Sequence, residues 1–298
     1  MYAGAILAIF WNTVPLDINT RTVASLCTLS SWSVRDDSRF IEALAWLYLQ
    51  KPNHADRIVR ALAPKTAGLP GRIFEGALRL LRYDSSDLTS DLLSTDKVIK
   101  AAAKKKLDAR VAHRDGLLFQ HISWLAASAQ FPNALKAPPH ARAADKGFDG
   151  VLLNIETMPI GVSSLILCED KASIKPRPIV TSQVWPEIKT ISTGDRDVEI
   201  TASVTSLLSN IDEDEREEIL NAVTWEKVIQ FRVALAAGMD QRKEGEYKHL
   251  FDGFDKINPT GRDSTRYAEI MPMPDVRLFL DEIAAKVSTK LVEMKSNV

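Results

Sequence analysis

Cysteine is nearly absent from this sequence. Only Cys27 and Cys168 occur among 298 residues, far apart and without the paired spacing of a zinc site or a disulfide framework. A disulfide-stapled secreted fold is thereby excluded, and a reducing, cytoplasmic setting is the simplest expectation. The five histidines, His54, His113, His121, His140 and His249, form neither an H-x-H nor an H-E-x-x-H pattern, which argues against a zinc hydrolase. No G-x-x-x-x-G-K-(S/T), G-x-G-x-x-G or G-x-S-x-G stretch is present. The usual ATP and dinucleotide loops and the nucleophile elbow of α/β-hydrolases are therefore missing.

Excess charge of either sign is lacking too. The formal net charge is -1, so this is no globally basic nucleic-acid binder, and any contact with phosphates must come from a local patch. No apolar run approaches the ~20 residues that span a bilayer. The apolar start, Met1–Trp11 (MYAGAILAIFW), has neither a basic flank nor a small-residue cleavage site and reads as buried structure rather than a signal peptide.

What is present is an ordinary globular balance, 45% hydrophobic and 26% charged. Residues 1–105 read as a helical N-terminal module suited to contacting a partner or DNA: Arg39–Gln50 and Arg72–Arg82 carry apolar residues at i, i+3, i+4 spacing, and Asp96–Leu107 continues the pattern. Asp115 reads as the cap of a further helix through Leu118, Ile122 and Leu125, ended by Pro132, Pro138 and Pro139. Residues 106–298 then change character. Asp149–Ile155 and Ser164–Cys168 are short apolar runs bounded by glycine and proline, which predicts two neighbouring strands in a hairpin-like connection. Helix around Ser182–Ile191, a solvated acidic face at Asp212–Glu218, strands at Ile229–Ala236 and Tyr267–Met271, and a helix over Asp275–Lys295 complete an α/β pattern.

The chemistry-bearing residues cluster around the second of those strands. Glu169-Asp170-Lys171 follows directly on the buried run Leu165–Cys168. Strand side chains alternate with period two, so Glu169 and Lys171 point the same way. Asp149 lies at the start of the preceding strand, and two adjacent strands can bring all three together. Phosphodiester cleavage uses such a set: hard carboxylate oxygens for Mg²⁺ or Mn²⁺, supplied by Asp149 and Glu169, and a lysine that orients water and stabilises the transition state. An E-x-K triplet alone says little, because the chain holds four, at Glu169/Lys171, Glu187/Lys189, Glu246/Lys248 and Glu293/Lys295. Only the first ends a strand-like run with a glycine-flanked acid one strand earlier; the second and fourth lie in helical patterns, where i and i+2 do not share a face. Spacing by itself leaves open a surface ion pair between Glu169 and Lys171.

The order helix, strand with Asp149, strand with Glu169-Asp170-Lys171, helix resembles the PD-(D/E)XK nuclease superfamily over roughly residues 109–240. The resemblance implies a restriction-endonuclease-like central mixed sheet flanked by helices and a Mg²⁺- or Mn²⁺-dependent endonuclease activity, with DNA as the leading substrate and RNA not separated from it. It also implies a Glu or Gln near the metal on the helix before the first strand, where Gln120 falls at the matching position with His121 beside it, and a polar residue on the helix after the triplet, where Gln183 is the candidate. Glu75 ranks second to Gln120. The chain departs from the pattern in having Phe148, not proline, before Asp149. Residues 96–146 hold ten Lys or Arg against four Asp, a local net of 10 − 4 = +6. Lys104, Lys105, Lys106 and Lys146, with Lys175 and Arg177 after the triplet, are candidates for tracking a phosphate backbone; a solvated helix face is the alternative for Lys104–Lys106. With no motor motif in the chain, the resemblance extends to effector subunits of bacterial anti-phage defence, the Hachiman-type nuclease subunits being the nearest analogue, which implies a helicase or other ATPase partner. Self-association into a homo-oligomer is left open. A non-catalytic nucleic-acid-binding or scaffolding subunit on the same fold is the competing expectation.

Overall fold

The computed structural model describes residues 13–64, 68–142, 147–157, 160–222, 225–238, 246–258 and 262–296. Met1–Trp11 and Lys146 lie outside them. Seven strands are found among the described residues: β1 (Leu16–Val23), β2 (Cys27–Val34), β3 (Leu135–Lys136), β4 (Gly150–Thr157), β5 (Ile160–Ala172), β6 (Ile229–Gly238) and β7 (Arg266–Met273). They form one mixed sheet in the order β1-β2-β7-β6-β5-β4-β3. Pairing is antiparallel at β1–β2, β3–β4 and β4–β5, and parallel along β2-β7-β6-β5. The inner strands carry near-continuous apolar runs, as strands covered on both faces require.

Helices supply those covers. Before β3 come α1 (Asp37–Tyr48), α2 (Pro52–Val59), α3 (Gly71–Leu80), α4 (Thr89–Leu92) and α5 (Lys97–Gln130). Between β5 and β6 lie α6 (Pro176–Ile179), α7 (Trp185–Ser192), α8 (Asp197–Leu207), α9 (Glu213–Ala222) and α10 (Trp225–Val228), with a π-helical turn, Val180–Val184, joining α6 to α7. Two short helices, α11 (Glu246–Leu250) and α12 (Phe254–Ile257), precede β7, and α13 (Val276–Ser296) follows it. The period of two in β6 separates two cores. Ala234 and Ala236 face Phe40, Leu44, Phe119, Ile122 and Leu280 of α1, α5 and α13, while Phe231, Val233 and Leu235 face Val184, Ile188, Val204 and Phe254. The molecule is thus an α/β fold with helices on both faces of the sheet. No helix among the described residues is long and apolar enough to cross a membrane.

Two sequence expectations change. The first 105 residues are not purely helical, since β1 and β2 form a hairpin and β2 pairs with β7, the last strand. Their polar composition hid them: in β1 only Leu16 is buried, as suits a strand at the sheet's margin. The expected break near residue 105 falls inside α5, one continuous helix of 34 residues. Its N-cap is Asp96, whose carboxylate accepts from the backbone N–H groups of Val98 and Ile99. Asp115 instead lies fully buried in mid-helix, accepting from Arg114 Nε at 2.7 Å and paired with Arg277 of α13. An acid before an apolar stripe looks like a cap in one dimension; two arginines give it an interior role in three.

Gly150 opens β4 where the space for a side chain is tight. A Cβ at this position would stand 3.2 Å from Cys168 Cβ and 3.3 Å from Cys168 Sγ, across the β4–β5 pair. Gly150→Ala is expected to cost about 1–3 kcal/mol of unfolding free energy through overpacking, read by urea denaturation. A Cys168→Ala exchange in the same chain should recover part of that loss by removing the sulfur.

Candidate active site

Glu169 and Lys171 are alternate residues of β5 and share the face that carries Leu165 and Leu167. Asp149 stands one residue before β4, just past the Gly150–Cys168 pair. The ladder ends there, and the N–H of Asp170 donates to Asp149 Oδ2 at 2.8 Å. Lys171 Nζ lies 3.0 Å from Glu169 Oε2 and 3.3 Å from Asp149 Oδ2. Gln120 of α5 reaches over from the helical layer and donates its amide to Asp149 Oδ1. Two carboxylates, one ammonium and one amide therefore meet at the end of an antiparallel strand pair.

Burial raises the Glu169 carboxyl, Lys171 pulls it back and the Asp149 charge pushes it up again, for a net rise above the ordinary value. For Lys171 burial opposes the charge, but Asp149 and Glu169 together more than offset it, so its pKa is raised. Lys171 is accordingly a fixed cation at neutral pH. The point it occupies is one toward which both carboxylates already aim at a positive charge. Mg²⁺ takes one or two carboxylates and completes its shell with water and substrate oxygen, so the donor set of Asp149 and Glu169 fits such an ion. No cluster of three or more His, Cys, Asp or Glu side chains suited to a metal exists among the described residues.

The other sequence candidates sit differently. Gln183 is exposed on the π-helical turn and takes no part in the hydrogen bonds around Asp149. His121, next to Gln120, is turned inward: it stacks on Tyr48 at 4.4 Å, and burial lowers its pKa to about 4, which keeps it neutral. Lys104, Lys105 and Lys106 are exposed on α5, roughly 21–24 Å from Gln120 along the helix at 1.5 Å of rise per residue. Lys175 is exposed just past β5. Arg177 clamps the chain near α11, donating from Nη1 to the carbonyls of Leu250 at 3.0 Å and Asp252 at 2.9 Å. Glu75 of α3 pairs with Lys295 of α13 at 3.4 Å.

Two features escaped the sequence reading. Arg196, at the N-terminus of α8, lies 4.3 Å from the Phe148 ring centroid, donates to Glu199 at 2.6 Å and pairs with Glu187. Its charge reaches Glu169. On the opposite face of β5, Asp170 enters a buried polar network with Ser123, Arg232 and Glu269. The signal for it was there: a lone arginine in IQFRVALA and a lone glutamate in YAEIM interrupt apolar strands, and buried charges come with partners.

Burial raises the Asp170 carboxyl to about 7, against the pull of Arg232. A carboxyl raised in the folded state binds its proton more tightly there than in the unfolded chain. Its contribution is therefore complete below about pH 4 and lost as pH rises through 7. In metal-free buffer, wild-type stability should fall more steeply between pH 4 and 7 than that of Asp170→Asn, measured by urea denaturation at several pH values. Parallel curves would show that Asp170 does not titrate in this window.

Comparisons with known proteins leave the site to speak for itself: no protein-family model matches the chain, and no curated protein matches it.

Proposed function

We propose that this chain is a Mg²⁺- or Mn²⁺-dependent nuclease of the PD-(D/E)XK kind, built on a restriction-endonuclease-like portion of its sheet. The observation that carries this reading is the meeting of Asp149, Glu169 and Lys171 across β4 and β5, with Gln120 on Asp149. A bound divalent ion supplies charge neutralisation at the phosphate and a more acidic water. Asp149 and Glu169 hold it. Lys171, kept protonated by the two carboxylates, orients the attacking water and faces the negative charge that grows on the phosphoryl oxygens. Gln120 fixes the direction of the Asp149 carboxylate. Lys175, exposed close to the end of β5, is a cation for a flanking phosphate, and Lys104–Lys106 can meet only a nucleic acid extending well beyond the scissile bond.

The proposal includes DNA as the leading substrate, action in the cytoplasm, and an ATPase partner such as a helicase that directs the nuclease in anti-phage defence. Purified protein is to be assayed on plasmid, single-stranded DNA and RNA with Mg²⁺ or Mn²⁺, alone and with candidate partners, against Glu169→Ala and Lys171→Ala. Metal-dependent cleavage by the wild type, lost in both variants, supports the reading. Absence of cleavage under every condition transfers the site to a nucleic-acid-binding or scaffolding role.

A further inference from the structure

Asp149 is held from two directions, and the two holds are joined. Its Oδ1 accepts from Gln120, on α5. Three residues further along the same helix, Ser123 donates its hydroxyl to Asp170 Oδ1 at 2.7 Å. Positions i and i+3 lie on one side of a helix, so Gln120 and Ser123 both face the sheet. Asp170 then returns to the start, its backbone N–H donating to Asp149 Oδ2 at 2.8 Å. Three hydrogen bonds and the turn of α5 between Gln120 and Ser123 close a ring: Asp149, Gln120, Ser123, Asp170, Asp149.

Arg232 fixes the sense of that ring. It donates from Nη1 to Ser123 Oγ at 2.7 Å and from Nη2 to the Ser123 carbonyl at 3.2 Å, and it pairs with Glu269 at 2.6 Å. A guanidinium can only donate. The Ser123 oxygen must accept from it, and its single proton is directed at Asp170. Ser123, Asp170, Arg232 and Glu269 are all buried, so water does not compete for these bonds.

We infer that Ser123 and Asp170, oriented by Arg232, are positioning residues for Asp149: they tie α5 to β5 so that both oxygens of the carboxylate are aimed before any ion arrives. The inference rests on the nuclease reading of the site. Neither residue touches the reacting atoms. Partners that orient a ligating carboxylate typically change metal affinity or activity by about 10–100-fold when removed.

Ser123→Ala breaks the ring at one bond and leaves Asp149, Gln120, Glu169 and Lys171 unaltered. Arg232 Nη1, already 3.6 Å from Asp170 Oδ1, can close directly on that carboxylate. Mn²⁺ titrated into the full-length chain and followed by electron paramagnetic resonance is expected to bind about tenfold more weakly in Ser123→Ala. Ser123→Thr, which restores a hydroxyl, should recover most of the affinity. In cleavage assays the loss should appear in the metal concentration for half-maximal rate, with kcat at saturating Mn²⁺ near that of the wild type. A general loosening of the fold would instead lower kcat and escape rescue by threonine. Should Ser123→Ala fail to fold, Ser123→Cys takes its place with the same expected direction. Unchanged Mn²⁺ affinity in a folded variant of a Mn²⁺-binding wild type overturns the positioning role and leaves the nuclease reading standing. A wild type that neither binds Mn²⁺ nor cleaves overturns both.

Discussion

Lys171→Met is expected to lower metal-dependent cleavage about 10²–10³-fold, the usual loss on removing one preorganised donor from a developing oxyanion. Methionine keeps the apolar stem and removes the ammonium, with both its charge and its hydrogen-bond donors. The ammonium lies within 3.3 Å of both Asp149 and Glu169, so its loss also leaves two carboxylates facing each other. Glu169, already raised by burial and by Asp149, rises further and takes up a proton more readily. Metal-dependent cleavage should therefore fail at higher pH on the acid side than in the wild type. Glu169→Gln, which takes away one of the two ion-holding groups, should reduce cleavage below detection. Initial rates on a labelled duplex from pH 5 to 9, with circular dichroism as the control for folding, decide the matter. Full activity in either variant would remove these residues from the mechanism.

Arg232→Met should produce the largest loss of stability of any single exchange considered, about 3–5 kcal/mol, because breaking a buried ion pair strands its partners. The side chain is 1% exposed, and the carboxylates it serves, Asp170 and Glu269, are 3% and 0% exposed. Without the guanidinium both lose their cation, and Ser123 loses a donor. Adding Glu269→Gln and Asp170→Asn to Arg232→Met should recover much of the loss, since neutral amides do not require a buried counter-charge. Urea denaturation of the single and triple variants measures the difference. A triple variant no more stable than Arg232→Met would mean that packing against Trp32, 5.2 Å from the guanidinium, matters more than charge.

These residues show what was legible in one dimension. The hairpin β4–β5 and the strand β6 followed from short apolar runs between breakers, and the helix α13 from its apolar stripe, because local patterning decides such elements. The side of β5 on which Glu169 and Lys171 stand followed from period two alone. Less local features did not follow. The strand β1 buries only Leu16, and the β1–β2 hairpin joins the sheet only through the pairing of β2 with β7. Asp115 looked like a helix cap because its remote partner Arg277, on α13, is invisible to a local reading. Ser123 and Asp170 are 47 positions apart in the chain and 2.7 Å apart in space. No spacing rule joins them.

The placement of β2 beside β7 also sets a clock. Thr28 pairs with Tyr267, so 239 residues of synthesis separate the two halves of that ladder. At about 5–20 residues per second, the finished N-terminal hairpin waits about 12–48 s with one edge open. Hairpins themselves form in about 1–10 μs, and the delay belongs to the ribosome rather than to the strand. During that interval the side of β2 meant for β7 offers unpaired backbone groups to any strand it meets, and Trp32, wholly buried in the finished fold, has yet to receive the cover of the later elements. A chaperone that shields short strand edges on nascent chains should therefore raise the yield of native protein more than one that acts after release.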